Sequence, residues 1–248
     1  MVMYIKRHIP NFITCLNLFF GCMAVVFALR GWLGFAVYMV IAAALFDFCD
    51  GLAARWLKAF SSVGKELDSL ADLISFGLAP AAMLHYEFTQ ILSPKLSYGA
   101  GSFPWELLSF SPFVVAVAAA IRLAKFNVDT RQSDHFRGLP TPASALFISS
   151  LLVYITRTPK WMPLLETPYS IPIISLLVSF LMVSHLPMIS LKMKSFSWNG
   201  NQLRFLFLLM VALLVALSFI LGWPLSLTLC VTLFMYMVVS PIWLLGNS

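Results

Sequence analysis

The sequence predicts an all-α, polytopic integral membrane protein: a bundle of about eight transmembrane helices. Two observations carry this. Of 248 residues, 60% are hydrophobic and only 10% are charged, and the mean hydropathy is +0.90. Soluble proteins are roughly 25% charged, and disorder needs low hydrophobicity with high net charge, so both classes are excluded. The apolar residues also fall in eight stretches of about the 20 residues that span a bilayer, at roughly 11–29, 32–57, 66–85, 105–126, 140–156, 171–190, 204–221 and 224–245.

The first stretch follows Lys6 and Arg7, as a signal peptide would, and Gly21-Cys22 hints at a lipoprotein cleavage site. Asn11, Thr14 and Asn17 interrupt its apolar core and seven more stretches follow, so it is read as a true span. The second and third stretches carry four Asp residues and are taken up below. Between the third and fourth, residues 86–104 read as a mildly polar external loop. The fourth ends on Arg122 and Lys125. Pro140 and Pro142 open the fifth, where first-turn amides have no helical partner, and Gly138 before them permits a tight turn. The loops 127–139 and 191–203 are polar. Trp105, Trp161, Trp198 and Trp223 lie near span ends, as interfacial anchors do.

The formal net charge is +6, and membrane topology accounts for it better than nucleic-acid binding. With a cytoplasmic N-terminus, twelve of the sixteen basic residues sit at cytoplasmic ends, leaving only Arg30, Lys95, Arg157 and Lys160 outside. Both termini are therefore expected in the cytoplasm. The four cysteines (Cys15, Cys22, Cys49, Cys230) lie in apolar segments without a CxxC pair, so neither a zinc site nor a disulfide framework is read. His85 and His185 are single and are assigned to helix ends or packing.

Carboxylates inside a membrane segment are costly, and each is a functional hypothesis. Asp47, Asp50, Asp68 and Asp72 fall within 26 positions. At 100° per residue, Asp50, Gly51, Ala54 and Arg55 lie at about −60°, +40°, −20° and +80° from Asp47, on one face. On the next helix Asp68, Ala71, Asp72 and Ser75 lie at about +40°, −20°, +80° and +20° from Gly64. Lys58, Ser61, Ser62 and Lys65 connect the two. An antiparallel pair of such helices points four carboxylates at one place near the cytoplasmic surface, with small residues that admit a ligand to the backbone. Unpaired, the carboxylates repel. Hard divalent cations such as Mg²⁺ or Mn²⁺ resolve this and bind phosphates as well, and two metals on shared carboxylates suit phosphoryl-type transfer. Arg55 adds a cation matched to phosphate. The alternatives at this point are the ion pairs of a transporter core, or a proton relay.

The string Asp47-x-x-Asp50-Gly51-x-x-Ala54-Arg55, eight residues, Gly64-x-x-x-Asp68-x-x-x-Asp72 resembles the signature of the CDP-alcohol phosphotransferases without gap or substitution. Four further segments look like those of the membrane-integral phosphatidylserine synthases within that family. They are Pro10-Asn11-Phe12-Ile13-Thr14-Cys15-Leu16-Asn17-Leu18-Phe19-Phe20-Gly21, Ser75-Phe76-Gly77-Leu78-Ala79-Pro80-Ala81, Arg122-Leu123-Ala124-Lys125-Phe126-Asn127 and Phe136-Arg137-Gly138-Leu139-Pro140-Thr141-Pro142-Ala143. The resemblance covers residues 8–145 and departs from the pattern at Lys125, where Arg is expected.

The resemblance implies an enzyme in which the hydroxyl of L-serine attacks the lipid-side phosphorus of CDP-diacylglycerol, giving phosphatidylserine and CMP. It implies two divalent cations, Mg²⁺ or Mn²⁺. Asp47 and Asp68 bridge them, Asp50 completes the first site, and Asp72 completes the second and takes the proton from serine. Gly51, Ala54, Arg55, Ser61 and Gly64, with Asn11 and Thr14, are implied to hold the CDP moiety. The carboxylate of serine needs a cation, and Arg122 is the first candidate because a charge within a span needs a reason. Lys125, Asn127 and Arg137 are the others. The whole chain, 1–248, is then one transmembrane catalytic domain, with the signature at 47–72, an acceptor side at about 122–143, six spans forming the catalytic core and extra helices at about 204–245. A homodimer in a bacterial cytoplasmic (inner) membrane, with no nucleic-acid partner, completes the expectation. Glycerol 3-phosphate or an inositol phosphate are the alternative acceptors, and outside the class the rival is a divalent-cation transporter.

Overall fold

The computed structural model describes residues 2–96, 103–128, 136–189 and 202–246. Each of the eight apolar stretches falls on a helix. α1 (Val2–Leu29) and α2 (Leu33–Trp56) form a hairpin and pack extensively against each other. Its turn passes through Gly31 at φ +76° and is flanked by stacked Phe27 and Trp32 rings. α3 (Ser62–Asp72) begins after a short turn, continues through a π-helical stretch (Leu73–Leu78) and runs on as α4 (Ala79–Leu96). α5 (Phe103–Ser109) leads through a 3₁₀ turn into α6 (Val114–Val128). α7 (Thr141–Arg157), α8 (Ser170–Val183), α9 (Gln202–Leu221) and α10 (Leu225–Gly246) complete the bundle.

Among the described residues, five helical stretches are long and apolar enough to cross a membrane: His8–Leu29, Leu33–Trp56, Ser62–Ser93, Phe103–Val128 and Leu225–Leu244. The chain is an integral membrane protein. Large apolar side chains such as Phe12, Phe19, Phe35, Phe180 and Phe219 face outward, as a lipid solvent permits.

Two boundaries differ from the sequence reading. Residues 86–96 are helical, not loop, because Phe88 and Leu92 are fully buried while Thr89 and Ser93 return their hydroxyl protons to the carbonyls of Tyr86 and Gln90. The polarity that suggested a loop is thus satisfied within the helix. The stretch expected at 171–190 is helical only to Val183. Ser184 is extended (ψ 161°), and Pro187 disfavours helical backbone at the residue before it. Pro187–Met188 (β2) instead pairs antiparallel with Phe136–Arg137 (β1), in the register Phe136↔Met188 and Arg137↔Pro187. The expected loop 191–203, with Trp198, lies outside the described residues except for the start of α9.

Helices in lipid pack through small residues and interhelical hydrogen bonds. A Cβ added at Gly21 on α1 would run into Ser75, whose hydroxyl donates to the Asn17 carbonyl at 3.1 Å. A Cβ at Gly77 would lie 2.9 Å from the Ala119 Cβ of α6. The π-helical stretch thus sits between α1 and α6, directly after Asp72. Around it lies the main core, with Phe76, Met83, Phe88, Leu92, Ile148 and Leu152 fully buried.

Candidate metal and phosphate site

The turn between α2 and α3 places the acidic residues. α2 ends at Trp56, and Lys58 takes a left-handed conformation (φ +50°) that turns the chain. Ser61 then caps α3, its Oγ accepting from the Gly64 amide at 2.9 Å. A polar oxygen at this position satisfies one of the unpaired first-turn amides and contributes about 1 kcal/mol. Asp47 and Asp50, late in α2, thereby meet Asp68 and Asp72 in the second half of α3. One carboxylate oxygen from each of Asp47, Asp50 and Asp68 lies within 4.8 Å of the others. Asp50 and Asp72 are buried, and Asp72 stands beside this group, its Oδ1 accepting from Asn17 Nδ2 at 3.3 Å.

Like charges at such a separation repel by about 3 kcal/mol per pair at an effective dielectric of ~20. Asn17 supplies one neutral donor. The buried Asp50 Oδ2 has no hydrogen-bond partner. Convergent carboxylates with an orphaned buried oxygen fit a hard divalent cation, and the cluster is suited to bind one.

These residues open onto a cavity of about 490 Å³. Of the residues predicted from sequence, Asn11, Thr14, Asp47, Asp50, Gly51, Ala54, Arg55, Ser61, Gly64, Asp68, Asp72, Arg122 and Asn127 all line it. Two of them are also structural. Ser61 is the α3 cap, and Asn127 ties α6 to α3: its side-chain amide donates to Ser69 Oγ at 2.9 Å and its carbonyl accepts from Lys65 Nζ at 2.8 Å. A Cβ at Gly51 would meet nothing within 4 Å, whereas one at Gly64 would lie 2.8 Å from Asn11 Oδ1 and 2.9 Å from Ser61 Oγ. Gly51 thus leaves room on the cavity wall, and Gly64 lets α1 approach α3.

Lys125 is exposed and does not line the cavity. Arg137 lies in β1 by its backbone, and its side chain falls outside the described set. Arg131 lies outside the described residues. His85 stacks on Phe110 with its Nδ1 2.7 Å from the Ser109 carbonyl oxygen, and His185 is exposed in the turn after α8. Both are remote from the acidic cluster in their contacts.

The sequence reading missed two residues of the site. Asn17 is fully buried on the helix face that carries Thr14 and touches Asp72; the spacing Asn11, Thr14, Asn17 was the available signal. Ser69 lines the cavity wall beside Lys65 of the expected α2–α3 connection. Pro140, Thr141 and Pro142, within the acceptor side expected at about 122–143, line it at the start of α7.

The sequence profile of the CDP-alcohol phosphatidyltransferase family matches residues 7–184. Among curated relatives, a CDP-diacylglycerol–serine O-phosphatidyltransferase of Helicobacter pylori is 33% identical over 141 residues, 56% of this chain and 54% of that protein. An archaetidylserine synthase of Methanothermobacter thermautotrophicus is 33% identical over 150 residues, 60% of this chain and 58% of that protein. A Bacillus subtilis CDP-diacylglycerol–serine O-phosphatidyltransferase is 32% identical over 140 residues, 56% of this chain and 72% of that protein. The matched region spans little more than half the length of the first two.

Proposed function

The chain belongs to the CDP-alcohol phosphatidyltransferase family, and from that premise we propose that it transfers the phosphatidyl group of CDP-diacylglycerol to the hydroxyl of L-serine. The observation that carries the reading is the group of Asp47, Asp50 and Asp68 oxygens within 4.8 Å, beside Asp72, in a cavity that also holds Arg55 and Arg122. The names of the Helicobacter and Bacillus relatives support serine as acceptor.

Asp47, Asp50, Asp68 and Asp72 hold two divalent cations, Mg²⁺ or Mn²⁺. When bound, these supply positive charge that offsets the pyrophosphate and the departing CMP. The protein's own residues do the rest. Gly51 and Ala54 give the CDP moiety access to the α2 backbone. Arg55 pairs with its phosphates, and Asn11, Thr14 and the Ser61–Gly64 turn border the same pocket. Asp72 accepts the proton of the serine hydroxyl and holds that oxygen in line with the phosphorus. A bond forms from the serine oxygen to the lipid-side phosphorus, and the bond from that phosphorus to the CMP oxygen breaks. Arg122 meets the serine carboxylate, with Asn127 at the same wall.

The rival within the family is an acceptor that itself carries phosphate, which requires a denser basic pocket. Incorporation of labelled serine into lipid-extractable product by the purified protein tests the reading: label in phosphatidylserine, dependent on CDP-diacylglycerol, is expected, and its absence in folded protein overturns it. The proposal includes a homodimer in a bacterial cytoplasmic membrane with both termini cytoplasmic. A C-terminal reporter accessible only from outside contradicts that orientation.

A further inference from the structure

Helices α9 and α10 lie beyond the stretch matched by the family profile, yet one residue of α10 is tied to the segment that forms the acceptor side of the cavity. Tyr236 is buried. Its ring packs edge-on against Phe207 of α9 at 5.6 Å, and its hydroxyl donates to the Ile189 carbonyl at 3.1 Å. Ile189 directly follows β2, and β2 pairs with β1. The chain leaving β1 is bound to the same support: the Gly138 amide donates to the Leu186 carbonyl and the Leu139 amide to the Leu181 carbonyl, both at 2.9 Å. Gly138 has φ +76°, and a Cβ there would strike the Met182 carbonyl oxygen. The next residues, Pro140, Thr141 and Pro142, line the cavity. A continuous path of hydrogen bonds and chain thus runs from the Tyr236 hydroxyl to the cavity wall.

Arg122 interacts electrostatically with both Tyr236 and Asp72. The Arg122 Nε is buried and has no hydrogen-bond partner. The guanidinium thus borders the cavity with one donor unused. Its position then depends on the groups it interacts with, and Tyr236 is one of them.

We propose that Tyr236 is a positioning residue for the acceptor, fixing Arg122 and the 136–142 segment at one wall of the cavity and making the two C-terminal helices part of the catalytic unit. This rests on Arg122 meeting the acceptor carboxylate.

The test compares KM for serine, KM for CDP-diacylglycerol and kcat in wild type, Tyr236→Phe, Phe207→Leu and Arg122→Gln. Tyr236→Phe keeps the ring against Phe207 and removes one hydroxyl. The expected result is a serine KM raised about fivefold, the scale of one net hydrogen bond, with the CDP-diacylglycerol KM unchanged. Phe207→Leu loosens the ring while keeping the hydroxyl and should give a smaller rise, again for serine alone. Equal changes in both KM values, or a loss confined to kcat, overturn the positioning role. If Tyr236→Phe does not fold, Phe207→Leu decides by the same criterion. If Arg122→Gln raises the serine KM while Tyr236→Phe does not, Tyr236 loses its role and the acceptor reading stands. If Arg122→Gln leaves the serine KM unchanged, the acceptor reading falls and this proposal with it.

Discussion

Replacing Gly51 by Ala separates the stability of the bundle from its use of the cavity. Gly51 is interior to α2, where glycine costs about 1 kcal/mol relative to alanine. An added Cβ would meet nothing within 4 Å, so no clash offsets that gain, and the Ala variant should be at least as stable as wild type. The same open space belongs to the cavity that holds Arg55 and the acidic cluster. If the donor approaches the backbone here, an added methyl overpacks the complex. Overpacking costs about 1–3 kcal/mol, or roughly 5- to 150-fold at 1.36 kcal/mol per decade. The assay is CMP release against CDP-diacylglycerol concentration, with a thermal midpoint on the same sample. A raised donor KM with an undiminished midpoint is expected. A wild-type KM and kcat would show that nothing approaches this face, and the assigned donor pocket would be wrong. Gly64→Ala is the contrast: its Cβ would press on Asn11 and Ser61, so both midpoint and KM should suffer.

Asp72→Asn should abolish turnover while leaving CDP-diacylglycerol binding mostly intact, and wild-type-like turnover in that variant would refute its role as proton acceptor. Asp47→Asn and Asp68→Asn should each weaken Mn²⁺ binding at least tenfold, read by electron paramagnetic resonance without substrate; unchanged binding would remove the cluster from the metal site. Chelator should stop the reaction in wild type, and added Mg²⁺ or Mn²⁺ should restore it, whereas full activity in excess chelator contradicts the metal requirement. Gly21→Val should lower the thermal midpoint, because the side chain would meet Ser75 at the α1 crossing; an unchanged midpoint would show that the two helices can separate at no cost.

The spans were legible because lipid demands about 20 apolar residues in helical form, and that demand is written in composition. The acidic cluster was legible because intramembrane carboxylates are rare and their spacing puts them on one face of each helix. Where polarity and burial part company, the reading failed. Glu87, Thr89 and Gln90 look like loop residues, yet Phe88 and Leu92 anchor the helix through them. Asn17 falls in the resembling first segment and argues against a signal peptide, but nothing local marks it as a site residue, although it shares a face with Thr14 and meets Asp72 from another helix. Lys125, three residues beyond Arg122, shares its helix but not its cavity. The π-helical stretch and the bond from Tyr236 to the Ile189 carbonyl are consequences of tertiary packing, which no local pattern in an apolar helix records.

The most direct measurement is CMP release by the purified protein with CDP-diacylglycerol and Mn²⁺ or Mg²⁺, offering serine, glycerol 3-phosphate or an inositol phosphate in parallel. Release that depends on serine is the predicted result. Release with a phosphate-bearing acceptor would keep the acidic cluster and discard the Arg122 pocket. No release from folded protein with any of the three, together with cation flux in proteoliposomes lacking CDP-diacylglycerol, would contradict transfer and favour a cation pathway through the same carboxylates.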